Sequence, residues 1–234
     1  MIENFYNINF NELKFDAVVC LDGDLPSREI LDQVAGIPVL AADGGAIKLY
    51  RIGIIADYVI GDLDSFKSMP ESINFPAHKI IERPDQETND FEKTLVFAES
   101  LGYMNLIIFG FHGGLLEHTL NNWSVLIKIA RRLNLCVFDN GRYCLPISYS
   151  FKIQTHAGEI ISLIPQPAAI LTTKNLKWEL TNEELRLGSR EGARNVALSD
   201  WFSVEIHSGE LLLFIEERLP FAPQKKMPKR NPPN

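Results

Sequence analysis

The sequence predicts a two-part chain: an N-terminal parallel-sheet α/β domain over residues 1–145, then a C-terminal all-β sandwich over 146–219. Three observations carry this. Short, nearly continuous apolar runs in the first part stop at Gly or Asp. Segments with helical apolar spacing lie between them, so a βαβ series follows. After about residue 145 the helical spacing disappears, and short strand-like runs alternate with Gly, Pro, Asn and Asp turns.

In chain order, DAVVCLDG (16–23), IPVLAADGG (37–45), DYVIGD (57–62) and NLIIFGF (105–111) are the predicted strands. Runs without polar alternation suit strands covered on both faces. In NDFEKTLVFAESLG, Phe91, Leu95, Ala98 and Leu101 recur at helical spacing, with Asn89 or Asp90 able to cap the start and Gly102 to stop it. Leu120, Trp123, Ile127 and Ala130 make a second stripe in EHTLNNWSVLIKIARRLN. SYSFKIQTHAGEIISLIPQ, AILTTKNLKWEL, LRLG and WFSVEIHSGELLLFIEE supply the later strands. The basic, proline-rich end, 220–234, is expected to be disordered.

A chain of 234 residues can bury a sizeable core. A net charge of −7 argues against a general nucleic-acid binder, which presents basic stripes to phosphate. Cys20, Cys136 and Cys144 lack metal-site spacing and read as buried thiols in a reducing compartment. Neither a signal-peptide pattern nor a membrane-length apolar run is visible, so the expected location is cytoplasmic, without membrane association.

Four aspartates stand at the predicted strand ends: Asp43 in AADGG, Asp62 and Asp64 in GDLDS, and Asp90 in QETNDFEK. In open α/β sheets, ligands gather beyond the carboxyl ends of the strands. On extended backbone, Asp62 and Asp64 would point to one side and repel unless a cation lies between them. Oxygen-only ligands favour a hard cation such as Mg²⁺. The plainer alternative is that Asp62 caps the following turn and Asp64 bonds to local N–H groups. Gly44-Gly45 and Gly113-Gly114 would let backbone N–H groups approach an anion, or simply form turns. Lys93 follows Asp90 by three residues, so the pair shares a helix face and either holds metal and phosphate together or forms a solvated salt bridge.

Taken together, AADGGAIKLYRIGIIADYVIGDLDSF, RPDQETNDFEKTL, GFHGGLLEHTLNN, TKNLKWELTNEELRLG and SGELLLFIE resemble, in order and spacing, the thiamin pyrophosphokinases. The resemblance spans roughly residues 16–216. It implies that the α/β domain binds ATP and Mg²⁺, and that the β-sandwich binds thiamin and mediates dimerisation, with thiamin held between subunits of a homodimer. The implied reaction moves the β,γ-diphosphoryl unit of ATP onto the thiamin hydroxyl, giving thiamin diphosphate and AMP. Carried over by position, Asp62, Asp64 and Asp90 are the Mg²⁺ ligands and Asp43 stands where substrate meets phosphates. Gln86 and Lys93 contact phosphates, Asn122 belongs to the nucleotide site, and Gly44, Asn89, Gly113, Gly114 and His118 fall in the same nucleotide-contacting stretches. Trp178 either stacks on the cationic thiazolium or belongs to the sandwich core.

Three departures from the family pattern stand out. Leu115 and Glu117 in GGLLEH replace an arginine and an aspartate, Asn89 replaces a threonine, and Arg194-Asn195 replaces a Ser-Asn pair near the thiamin site. A lost guanidinium removes a bidentate phosphate partner, for which Arg190 and Arg194 are the candidate substitutes. Two rivals follow: a diphosphokinase for another hydroxymethyl heterocycle such as a pterin, and a catalytically weakened thiamin or nucleotide sensor.

Overall fold

The structure is a computed structural model that describes residues 5–227. It divides into two compact units, Lys14–Asn140 on one hand and the segments up to Leu13 and from Gly141 onward on the other. The chain opens with β1 (Tyr6–Asn9), a strand of the second unit.

The α/β unit runs β2 (Ala17–Cys20), α1 (Arg28–Asp32), β3 (Val39–Ala42), α2 (Gly45–Arg51), β4 (Tyr58–Gly61), α3 (Asp64–Ser68), β5 (Ile80–Glu82), α4 (Asp90–Ser100), β6 (Asn105–Phe109), α5 (Leu116–Ile129) and β7 (Asn134–Asp139). Its six strands are all parallel, in the order β7-β6-β2-β3-β4-β5. The four expected strands are present; β5 and β7, built from Ile80–Glu82 and Asn134–Asp139, flank them. The chain steps outward from β2 to β5, then returns to place β6 on the other side of β2. That reversal opens a crevice at the carboxyl ends of β2 and β6.

Both long helices form where their spacing indicated. Asn89 caps α4, its Oδ1 accepting the Glu92 N–H at 2.9 Å. The helix buries Phe91, Leu95 and Ala98 against the sheet, each large side chain contributing about 1.5–3 kcal/mol. Its stripe ends before Leu101, which is half-exposed at the C-cap. On α5 the buried residues are Val125, Leu126 and Ile129, whereas Leu115, Leu116 and Leu120 are exposed. Apolar spacing marks a helix but does not tell a core-facing stripe from leucines left exposed.

The second unit adds β8 (Arg142–Ile147), β9 (Phe151–Gln154), β10 (Ile160–Lys174), β11 (Glu183–Arg186), β12 (Gly192–Val196), β13 (Trp201–Glu216) and β14 (Gln224–Lys226). The two long strands β10 and β13 pair antiparallel, with a register break between Pro165 and Ala169. β10 also pairs with β11 and β12, and β13 with β8 and β9. Tyr143, Phe151, Phe202, Leu163 and Leu213 are buried in its core.

Two expectations about boundaries need correction. The first unit begins at Lys14 and ends at Asn140, because β1 pairs parallel with β9 and antiparallel with β14, which draws the chain's first segment into the β unit. The segment 220–227 is part of the fold: β14 is a strand, Ala222 is buried, and its N–H bonds to the Leu13 carbonyl at 2.9 Å. Backbone pairing to a partner far away in sequence orders residues whose composition favours disorder. Residues 228–234 lie outside the described residues. Among the described residues no helix is long and apolar enough to cross a membrane, and all three cysteines are buried.

Candidate active site

A cleft of about 630 Å³ opens at the carboxyl edge of the parallel sheet. Asp43 follows β3, Asp62 follows β4 and Asp90 starts α4, and carboxylate oxygens of the three lie within 4.8 Å of one another. The expected ligand set of Asp62, Asp64 and Asp90 is therefore rearranged: Asp43 joins Asp62 and Asp90 in the cluster, and Asp64 does not. The reason is local backbone. β4 ends at Gly61, and Leu63 takes a left-handed conformation with φ 69°, so the chain turns into α3 where an extended strand would have aligned Asp62 with Asp64. Asp62 Oδ1 instead accepts the Asp64 N–H at 3.3 Å, as the plainer turn-capping alternative describes.

Asp43 is itself a cap. Its two oxygens accept the N–H groups of Ser65 (3.2 Å) and Phe66 (2.9 Å) at the start of α3, and the residue is buried. This ties the loop after β3 to the loop after β4. Gly61 supplies the remaining clearance: a Cβ at that position would stand 2.9 Å from Asp90 Oδ1 and 3.3 Å from Asp43 Cβ. A side chain there would wedge the triplet apart.

Electrostatics differ across the three carboxylates. The Gln86 amide, 3.1 Å from Asp62 Oδ2, holds Asp62 below its ordinary pKa, assisted by the Asp64 N–H and the Lys93 charge. Burial pushes Asp90 above its ordinary value; Lys93 opposes the rise and Asp62 adds to it. Lys93 Nζ lies 3.3 Å from Asp90 Oδ1 with a side chain only 4% exposed. Lys93 is thus a buried member of the cleft beside a partly exposed Asp90, and the pair is not a solvated surface bridge. A buried ammonium with a single carboxylate partner keeps donors for a further anion.

Across the cleft, Asn89 Nδ2 donates to Asn122 Oδ1 at 3.2 Å, and Asn122 Nδ2 donates to the Phe111 carbonyl at 3.3 Å, which links α4, α5 and the end of β6. Gln86, Gly113, Gly114, Leu115 and His118 line the same space. Gly44 does not: a Cβ there would fall 2.6 Å from Asp22 Oδ2, so its role in the fold is to admit Asp22. Asp22 and Gly23 line the cleft and are absent from the sequence-based expectation, although CLDGDL repeats the strand-then-Asp-Gly order of AADGG.

In the β unit, Asn195 is buried and bonds to the Trp178 backbone, while the indole is 57% exposed with Lys177 Nζ 4.7 Å from its ring centre. That exposure removes Trp178 from the core. Arg190, one candidate substitute for the missing arginine, is bound to Glu183 at 2.6 Å. Arg194 has φ 57° and donates its N–H to Ser162 Oγ. Of the lysine and arginine side chains, Lys93 alone lines the cleft among the described residues.

Fold and cleft thus define a class: a parallel α/β unit with an acidic cleft at its switch point, followed by a mostly antiparallel β unit. Two family models match the chain: "Thiamin pyrophosphokinase, catalytic domain" over residues 37–179 and "Thiamin pyrophosphokinase, vitamin B1 binding domain" over residues 148–213. The first match covers more than half of the chain and runs past Asn140 into the β unit, overlapping the second over 148–179. The chain belongs to the thiamin pyrophosphokinase family. It is 28% identical over 223 residues to thiamine pyrophosphokinase 2 of Arabidopsis thaliana, covering 82% of this chain and 83% of that protein. Its fold is similar to yeast thiamin pyrophosphokinase, with TM-score 0.74, 18% identity and 92% of each chain covered. Thiamine pyrophosphokinase from Bacillus subtilis gives TM-score 0.72 at 20% identity, covering 86% of this chain and 98% of that one.

Proposed function

We propose that this family member is a thiamin diphosphokinase, transferring the β,γ-diphosphoryl unit of ATP to the hydroxyl of thiamin to give thiamin diphosphate and AMP. The observation that carries the reading is the convergence of Asp43, Asp62 and Asp90 beside the buried Lys93 in one cleft, within a chain matched by both family domains.

The donor set fits Mg²⁺. All three groups are carboxylates, no Cys or His among the described residues joins them, and their oxygens approach closely enough to share one hard cation. Asp43, Asp62 and Asp90 would hold it, with Asp64 next in the chain at the start of α3. When bound, the cation neutralises charge on the polyphosphate. The protein's own groups do the rest. Lys93 offsets charge that develops on the bridging and leaving oxygens. Gln86 and the Asn89–Asn122 pair orient the nucleotide, with Gly113, Gly114 and His118 along the phosphate wall. Asp43 or Asp90 orients or deprotonates the attacking hydroxyl. Trp178 stacks on thiamin, with Asn195 setting its backbone.

A homodimer and a cytoplasmic location belong to the same proposal; three buried, reduced cysteines suit a reducing compartment. So does the sandwich reading of the β unit, supported by two long strands that each pair with several shorter ones. The family match does not favour the pterin and sensor rivals.

Incubating the protein with ATP, Mg²⁺ and either thiamin or a hydroxymethyl pterin, with mass-spectrometric detection, tests the reading. Formation of AMP and thiamin diphosphate is expected. AMP release with the pterin alone, or tight binding of thiamin and ATP without AMP, overturns it.

A further inference from the structure

Lys48, on α2, bonds to the chain on the far side of the β2–α1 turn. Its Nζ lies 2.6 Å from the Asp22 carbonyl, 2.9 Å from the Gly23 carbonyl and 3.2 Å from Asp22 Oδ1. An ammonium has three protons and no acceptor; two of them go to the consecutive carbonyls, and the charge forms an ion pair with the Asp22 carboxylate. Lys48 does not line the cleft, whereas Asp22 and Gly23 do. The same turn is gripped from its other side: the Asp24 N–H donates to the His112 carbonyl at 2.7 Å, and Gly23 packs against the 110–112 backbone so closely that a Cβ would fall 2.1 Å from the His112 oxygen.

From this we infer that Lys48 is a positioning residue for the cleft, clamping the 22–24 turn as its wall and neutralising Asp22 where an anionic ligand would enter. The inference rests on the reading of the cleft as the ATP site. Two physical effects act together. Fixing two consecutive carbonyls removes conformational freedom from the wall before a ligand arrives, which lowers the ordering cost of binding. Pairing the Asp22 carboxylate prevents a like-charge encounter with polyphosphate. Since neither effect touches the transferring group, the loss on removing Lys48 falls on ground-state and transition-state binding alike.

Lys48→Met keeps the length of the side chain and removes its charge and donors. The expected result is a KM for ATP raised about five- to tenfold, with kcat within about twofold of the parent and the KM for thiamin unchanged. Lys48→Arg, which restores the charge and donors, should recover most of the ATP KM. Hydrogen exchange supplies a readout that does not depend on turnover: the Asp24 amide should exchange at least about tenfold faster in Lys48→Met, with core amides of β3 and β6 unchanged. If wild-type protein forms no AMP, the assignment of the cleft fails, and the exchange measurement still decides the clamp. An unchanged Asp24 amide, or a uniform acceleration across the α/β unit with a lowered Tm, overturns the inference.

Discussion

Asn195 grips the backbone of Trp178 from both sides: its Oδ1 accepts the Trp178 N–H at 3.1 Å, and its Nδ2 donates to the Trp178 carbonyl at 2.8 Å. The buried amide thereby fixes an exposed indole. Asn195→Ala removes three hydrogen bonds, these two and the one that Oδ1 accepts from the Val196 N–H at 2.8 Å, each with a net worth of about 0.5–1.5 kcal/mol. The thiamin KM is expected to rise about tenfold, equivalent to about 1.4 kcal/mol, with a lowered Tm. Trp178→Ala should raise the thiamin KM without lowering Tm, since the indole is not core. Steady-state kinetics and thermal melts on both variants check this; an unchanged thiamin KM in Trp178→Ala excludes the stacking role.

Gly61 is the clearance that lets Asp90 approach Asp43. Gly61→Ala places a methyl 2.9 Å from Asp90 Oδ1, at a backbone φ of 154° that side chains rarely adopt. Misplacing a reacting group by about 1 Å costs roughly 10²-fold in rate. That loss in kcat, with weaker Mg²⁺ dependence and a cooperative thermal transition retained, is the expected outcome. Calorimetric titration with Mg²⁺ and ATP alongside the assay will separate it from unfolding.

Asp62 and Asp64 differ in role despite their spacing. Asp62→Asn removes charge from the carboxylate triplet and should lower kcat by roughly 10²–10³-fold. Asp64→Asn should cost less, because Asp64 stands outside that triplet. Equal losses in the two variants, measured at saturating Mg²⁺, would return Asp64 to the ligand set.

His156 couples stability of the β unit to pH. Its Nε2 lies 2.9 Å from Glu216 Oε2, and this hydrogen bond, with a second to the Ala157 carbonyl, raises the imidazole above its ordinary 6.5. A group whose folded pKa exceeds its unfolded value stabilises fully below the unfolded pKa, and the contribution disappears as pH rises through the folded one. Tm should therefore fall slightly from pH 6 to 8, and His156→Gln should flatten that slope. The effect is small because solvent screens an exposed pair. Identical slopes in differential scanning calorimetry would rule out the coupling.

Apolar runs at 16–23, 37–45, 57–62 and 105–111, two helical stripes and the later change of pattern were enough to read a βαβ series followed by β structure. Burial of a strand or helix face writes itself directly into local composition. The aspartates at the strand ends were legible for the same reason, since a chain leaving a parallel strand puts its next polar residue at the ligand edge. What composition could not express was pairing between distant segments. Nothing local in Tyr6–Asn9 or Gln224–Lys226 announces that the two strands meet.

Likewise, whether Asp64 or Asp43 joins Asp62 and Asp90 turned on the sign of one φ angle at Leu63 and on N–H groups 22 and 23 residues away from Asp43. Asp22 and Lys48 fell to the same limit, because their partnership exists only once α2 packs beside the end of β2. The sequence by itself determined the elements, the acidic edge and the family. Tertiary structure decided which carboxylates share a site and what holds them there, because through-space hydrogen bonds and charges depend on distances that chain order does not encode.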